Sequence, residues 1–255
     1  MPRSRYNIHG QHGILARAAP ARKERATIAP QPITIRPLPI AHIHARADEL
    51  RAIYRAAFAA PPYHEDEQGA AIIFQALLDH THKPGFRCFG AEPTGGGPLL
   101  GVVYGYQGVQ DDWWRERVAA ALPPATADLW LGDCFEYAGF AVAPSAQRQG
   151  VGARLHDALL AGLPQRAAVL STIQAESPAL AFYRAHGWIT LREQYAFAPA
   201  GPPWRLMGLP CRCPPRGQWS RPPARPLSFR APSPPPIKPP PANSSWTAWA
   251  STSAS

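Results

Sequence analysis

No stretch of this 255-residue chain approaches the ~18 consecutive apolar residues that a membrane-spanning helix requires, so a helical span is excluded. Between Met1 and Pro30 there is no apolar run of signal-peptide length either. Cysteine is scarce. The four present, Cys88, Cys134, Cys211 and Cys213, match neither a four-ligand zinc spacing nor a disulfide framework. No metal is therefore expected, and isolated thiols in a reducing, cytoplasmic setting are.

Acidic residues are also missing from one region, and that absence decides how the charge is read. Residues 1–32 hold six Lys or Arg and one acid, and residues 210–255 hold six and none. The middle, 33–209, is left with 14 basic and 16 acidic residues, so the formal net charge of +9 divides into +5, −2 and +6. The sequence pI of about 9.8 thus belongs to the ends. A nucleic-acid partner is not expected, because such binding needs a basic face on the folded part. Thirteen of the last 46 residues are proline. A segment of that composition cannot bury enough apolar surface to offset its ordering entropy. The expected organisation is a basic N-terminal extension over 1–32, one domain over 33–209 and a disordered Pro-rich tail over 210–255. Ser233-Pro234-Pro235-Pro236 offers a polyproline ligand as an alternative use of that tail.

Within the middle, Ile33-Thr34-Ile35-Arg36 reads as a first strand. A helix is expected from Asp48 to Ala59, and a second one opens at Glu65-Asp66-Glu67, with Ile72, Ile73, Ala76, Leu77 and His80 as its stripe. Phe86 to Ala91 and Leu99 to Tyr106 read as a hairpin, and Trp113 to Leu122 as a helix stopped by Pro123-Pro124. From Leu129 to Ala143 the pattern is strand-like. A helix over 150–162 then leads to a strand over Ala167 to Ile173, which makes a right-handed βαβ unit with a parallel pair. Gly139 marks a bulge or a close backbone approach. Ser177 and Pro178 start a helix that Gly187 ends, and Trp188 to Phe197 and Arg205 to Leu209 close the sheet.

The most informative stretch is Gln147-Arg148-Gln149-Gly150-Val151-Gly152, between the apolar run Phe140-Ala141-Val142 and a helical pattern that begins at Ala153. Glycines at a helix start let an anion approach amides that have no intrahelical partner, where the helix dipole also favours negative charge. About thirty residues on comes Ala179-Leu180-Ala181-Phe182-Tyr183-Arg184-Ala185-His186-Gly187-Trp188. Together these runs resemble the GNAT acyltransferase superfamily, whose signature is Gln/Arg-x-x-Gly-x-Gly/Ala after a strand. The resemblance implies a mixed α/β fold with a mostly antiparallel central sheet, one splayed parallel strand pair and flanking helices. It also implies acetyl-CoA as cosubstrate, held by Phe140, Ala141 and Val142 along the strand and by Gln147 to Ala153 around the pyrophosphate.

Two candidate catalytic residues follow from the same resemblance. Glu136, eleven residues before Gln147, sits where family members place a glutamate base. An amine with a pKa of about 10 is mostly protonated at neutral pH, so attack on a thioester needs such an acceptor. By strand alternation Glu136 should share a face with Ala138, Phe140 and Val142. Tyr183 sits at the family's general-acid position, where a phenol can donate to the leaving thiolate. Where the family often has Asn seven residues before that tyrosine, this chain has Glu176. His156 and His186, at helix positions that surface or cap geometry explains, are given no role, and Cys134 is read as a buried thiol.

The aromatic and acidic loop 59–67 and the cluster Asp111-Asp112-Trp113-Trp114 favour a cationic amine as acceptor. The reading is an acetyl-CoA-dependent N-acetyltransferase acting on a small cationic molecule or a peptide. A CoA-binding regulatory module without catalysis and an interaction protein working through its tail are the alternatives. The oligomeric state is left open, a homodimer included.

Overall fold

The computed structural model describes residues 32–198 and 201–211. Both terminal segments expected to lie outside the domain fall almost wholly beyond these residues. Seven strands form one sheet: β1 (Ile33–Pro37), β2 (Arg87–Pro93), β3 (Gly101–Gln107), β4 (Cys134–Val142), β5 (Ala167–Ile173), β6 (Ile189–Tyr195) and β7 (Trp204–Pro210). Their spatial order is β1-β2-β3-β4-β5-β7-β6. Only β4 and β5 run parallel; every other neighbouring pair is antiparallel.

Helices cover both faces: α1 (Ile40–Ala45), α2 (Ala47–Phe58), α3 (Glu67–His80), α4 (Trp113–Ala121), α5 (Pro124–Leu131), α6 (Val151–Leu160) and α7 (Pro178–Ala185). Strand alternation sorts them. Val103, Phe135, Ala168 and Leu170 pack with α6 and α7 residues such as Leu155, Leu159, Leu180 and Tyr183. Val102, Tyr104 and Ala141 turn the other way, onto Leu50, Ile53 and Tyr54 of α2 and Phe74 and Leu77 of α3. Cys134, Ala167, Val169 and Leu206 share that second face and pack with Trp114, Val118, Trp130 and Leu131 of α4 and α5. Each fully buried Leu or Phe here contributes roughly 1.5–3 kcal/mol relative to exposure, so these three clusters carry the fold.

Several helix ends form as their residues dictate. Asp66 Oδ1 accepts from the Gly69 amide at 2.9 Å and Ser177 Oγ accepts from the Leu180 amide at 3.1 Å, each satisfying a first-turn donor. Gly187, just past α7, takes a positive φ of 82°.

Three departures from the sequence reading lie in the helices. Helix α1 was not anticipated; six residues are too few to display a 3.6-residue period. The chain from Leu129 is not yet strand: α4 stops before Pro123-Pro124 as read, but Pro124 then occupies the first turn of α5, where its fixed φ suits a helix, and α5 runs to Leu131. Third, the stripe assigned to α3 splits in two. Ala70, Phe74, Leu77 and His80 are the buried positions, while Ile72, Ile73 and Ala76 face a cleft described below.

Candidate active site

The parallel pair is where the sheet opens. β4 and β5 are in register only over Cys134↔Ala167, Phe135↔Ala168 and Glu136↔Val169; beyond Glu136 the two strands are unpaired with each other. On the opposite edge of β4 the register with β3 jumps from Gly105↔Tyr137 to Tyr104↔Gly139, so Ala138 is an extra residue, a β-bulge next to the glycine that signalled it. Gly139 is required there by space: a Cβ would lie 2.1 Å from the Tyr104 ring.

The bulge also corrects the expected facing of the strand. Inserting one residue reverses alternation, so Phe140 and Val142 pair with Val103 and Gly101 and lie with Tyr137 on the α6/α7 side, opposite Glu136. Ala141 faces α2 and α3. A parity count could not have anticipated this.

The opening is filled by a cleft of about 100 Å³ that passes between the strands, because its walls come from both faces of the sheet. Tyr54 and Phe58 of α2, Tyr63, and Ile72, Ile73 and Ala76 of α3 form one side. Tyr104 of β3, Tyr137 to Phe140 of β4, Ser171 and Thr172 of β5, Ala179 and Tyr183 of α7, and Trp204 of β7 form the rest. Tyr183 therefore stands at the cleft, with Tyr137 at 6.1 Å and Trp188 at 5.7 Å between ring centres. Burial pushes its phenol well up, so it holds its proton. Tyr63 is close enough to add to that effect, and Thr172 is hydrogen-bonded to Tyr63. The buried hydroxyls of Tyr54 and Tyr137, both on cleft residues, have no protein partner.

Glu136 lies elsewhere. It is 3 % exposed and is not a wall of the cleft. It sits on the α2–α5 side between the end of α3 and the start of α4, near Asp112 and Lys83, which form an ion pair at 2.6 Å. Burial, and then Asp112, raise its pKa from 4.5 to about 8, against a hydrogen bond donated by Tyr106. Its Oε1 has no partner, and a Cβ on Gly108 would come within 3.2 Å of it. Along β3, Tyr106 is opposite Glu136 and Tyr104 is opposite Gly139 at the cleft. His80 joins the two: its Nδ1 is 3.2 Å from the Tyr104 hydroxyl and its ring is 4.7 Å from that of Tyr106.

The loop after β4 folds as a compact turn leading into α6. Gln147 Nε2 donates to Val142 O at 2.9 Å and Gln149 Nε2 to Ser145 O at 2.7 Å. Arg148 and Gly150 take positive φ values of 62° and 78°. The first helical bond runs from the Arg154 amide to Gly150 O at 3.1 Å, which leaves the amides of Gly150, Val151, Gly152 and Ala153 without helical acceptors. A Cβ on Gly150 would meet nothing within 4 Å, so the space above these amides is open. Gly152 differs: a Cβ there would be 3.1 Å from the Phe140 ring, so this glycine also serves helix-to-strand packing. Open amides at a dipole's positive end, beside exposed Arg148, suit a pyrophosphate.

Other candidates resolve as follows. Cys134 is buried, its thiol pushed up to about 12 by burial. Glu176 pairs with Arg184 at 2.8 Å, which accounts for it locally. His186 closes α7, its Nδ1 2.8 Å from Phe182 O. His156 is not a surface residue: its Nε2 accepts from Trp188 Nε1 at 3.1 Å, so its Nδ1 carries the hydrogen that faces Asp157 at 3.2 Å. Sequence reasoning missed this link and the cleft residues Tyr54 and Phe58, whose i,i+4 spacing was the available signal.

The model of the acetyltransferase (GNAT) family matches residues 47–188, which is 142 of the 255 residues. A GCN5-like protein acetyltransferase of Mycobacterium tuberculosis is 32% identical over 109 residues, 40% of this chain and 53% of that protein. The chain thus spans about half the length of that relative. Among solved structures, a GNAT-family acetyltransferase from Desulfovibrio desulfuricans superposes with a TM-score of 0.48 at 18% identity, covering 71% of this chain and all of that one. The ribosomal-protein-S18-alanine N-acetyltransferase of Escherichia coli gives 0.46 at 17% identity, over 74% of this chain and 99% of that one. The family model covers more than half of the sequence, including the splayed strand pair and the α6 turn, and on it the chain belongs to the GNAT acetyltransferase family.

Proposed function

We propose that the chain is an acetyl-CoA-dependent N-acetyltransferase that acetylates a primary amine of a small cationic molecule or a peptide by direct attack within a ternary complex. The observation that carries this is the cleft through the sheet at the β4/β5 opening, with the open amides of α6 beginning on the same side as Tyr183. The working unit is the stretch read as 33–209, with β7 extending one residue further, to Pro210. Gln147 to Ala153 hold the pyrophosphate, with Phe140, Ala141 and Val142 along the unpaired edge of β4. Glycine at 150 leaves those amides accessible.

In the reaction the amine nitrogen bonds to the acyl carbon as the carbon–sulfur bond breaks. Tyr183, kept neutral by burial, donates to the leaving sulfur. One amine proton is lost. Glu136 is its sink when ionised, a form that its pKa of about 8 makes dominant only above that pH, and Tyr104, His80 and Tyr106 lie between it and the cleft.

Gly150→Asp tests the reading. It places a carboxylate at the open amides while displacing no protein atom. Acetyl-CoA affinity measured by calorimetry should fall more than tenfold, about 1.4 kcal/mol, with a melting temperature lowered only by the ~1–2 kcal/mol that a side chain at φ 78° costs. Unaltered affinity would remove acetyl-CoA from this loop. Absence of thiol release from the wild-type protein with every amine tried, despite tight acetyl-CoA binding, would favour the regulatory module.

A further inference from the structure

We infer that the acceptor is a small monoamine on an uncharged aromatic body, an arylalkylamine in chemical class; this rests on the transferase reading above. The α2/α3 side of the cleft is built from Tyr54, Phe58, Tyr63, Ile72, Ile73 and Ala76, and no wall of the cleft carries a charged side chain. The nearby acids are already engaged. Glu67 pairs with Arg55 at 3.0 Å, Asp112 with Lys83 at 2.6 Å, and Asp66 caps α3. Glu65 is buried, packed on the backbone at Gly69.

One ammonium suits such walls. The faces of tyrosine and phenylalanine attract a single cation, and the unpartnered hydroxyl of Tyr54 can accept a hydrogen bond. A second ammonium, as in a diamine or polyamine, would lose its water with no carboxylate to replace it. An aromatic body instead gains from burial against Phe58, which already meets Tyr63 edge-on at 4.8 Å. The chemistry balances within the proposed step. The bound ammonium gives one proton to the ionised base and becomes the free amine; the nitrogen–carbon bond then forms as the carbon–sulfur bond breaks, the sulfur leaves as the thiol after taking a proton from Tyr183, and the second nitrogen proton restores Tyr183.

The test compares phenethylamine with putrescine on the full chain, by thiol release and by calorimetry of each amine in the presence of CoA. The expected result is measurable phenethylamine binding and a kcat/KM at least tenfold above that for putrescine. Phe58→Ala should cut the phenethylamine value about tenfold with acetyl-CoA affinity unchanged. Ile72→Glu, which puts a carboxylate on the cleft wall at a half-buried position, should shift preference toward putrescine. A wild-type preference for putrescine, or no detectable phenethylamine binding, would overturn the inference. So would a Phe58→Ala variant that keeps its amine preference but gains activity with butyryl-CoA, because the cleft would then house the acyl chain. Loss of the transferase reading shows differently, as failure of the wild-type protein to bind acetyl-CoA.

Discussion

Glu136→Gln should make the protein more stable at alkaline pH while making it a poorer enzyme. The carboxyl is 3 % exposed and its pKa is raised from 4.5 to about 8 by burial, with Asp112 adding to the effect. A carboxyl raised in the folded state adds stability that is fully present below the unfolded pKa and is lost as pH climbs to the folded one. Between those values the folded protein holds a proton that the unfolded chain has released. Stability then falls by ~1.36 kcal/mol per pH unit, so the span from 4.5 to about 8 amounts to about 5 kcal/mol. Glutamine keeps the shape and can still accept from Tyr106, but does not titrate. Urea denaturation of both proteins at pH 5 and pH 8.5 should therefore show curves that are close together at the acid end, with the variant ahead by several kcal/mol at the alkaline end. If the stability difference is the same at both values, Glu136 does not carry the buried proton assigned to it. Turnover at neutral pH should drop roughly 10²–10⁴-fold and recover as pH approaches the amine pKa; wild-type turnover at pH 7, with chemistry rate-limiting, would refute its role as proton sink.

Tyr183→Phe should also lower turnover with acetyl-CoA affinity retained, but without recovery at high pH, and should be less impaired with an acyl donor whose leaving group is a weaker base; a full recovery at alkaline pH would contradict its role as donor. His156→Phe should destabilise by roughly 1–3 kcal/mol, because the buried Trp188 N–H loses its acceptor. Trp188→Phe added to it should cost less than the two single changes summed, and simple additivity of the thermal shifts would argue against the link.

The chain's local chemistry determined much by itself. Asp66, Ser177 and Gly187 act on their own few neighbours, so their caps were readable. The same holds for the parallel order of β4 and β5 around α6, since a crossover helix of that length leaves little choice. The two spaced motifs carried the family for a similar reason, since each is a short stretch whose turn geometry depends on glycine. What the sequence could not set was which way the residues beyond a bulge face. One inserted residue at Ala138 turns Phe140 and Val142 away from Glu136, and its position depends on Tyr104 lying over Gly139 from another strand. The burial of Glu136 between the ends of α3 and α4 is likewise a property of two layers meeting, as is the cleft shared by α2, α3, β3, β4, β5, α7 and β7. Charges that looked available along the chain, Glu67 and Asp112 among them, find basic partners 12 and 29 positions away. Contacts over such distances are made only when the layers pack, which is why the surroundings of the candidate base and the character of the acceptor cleft belong to the tertiary structure.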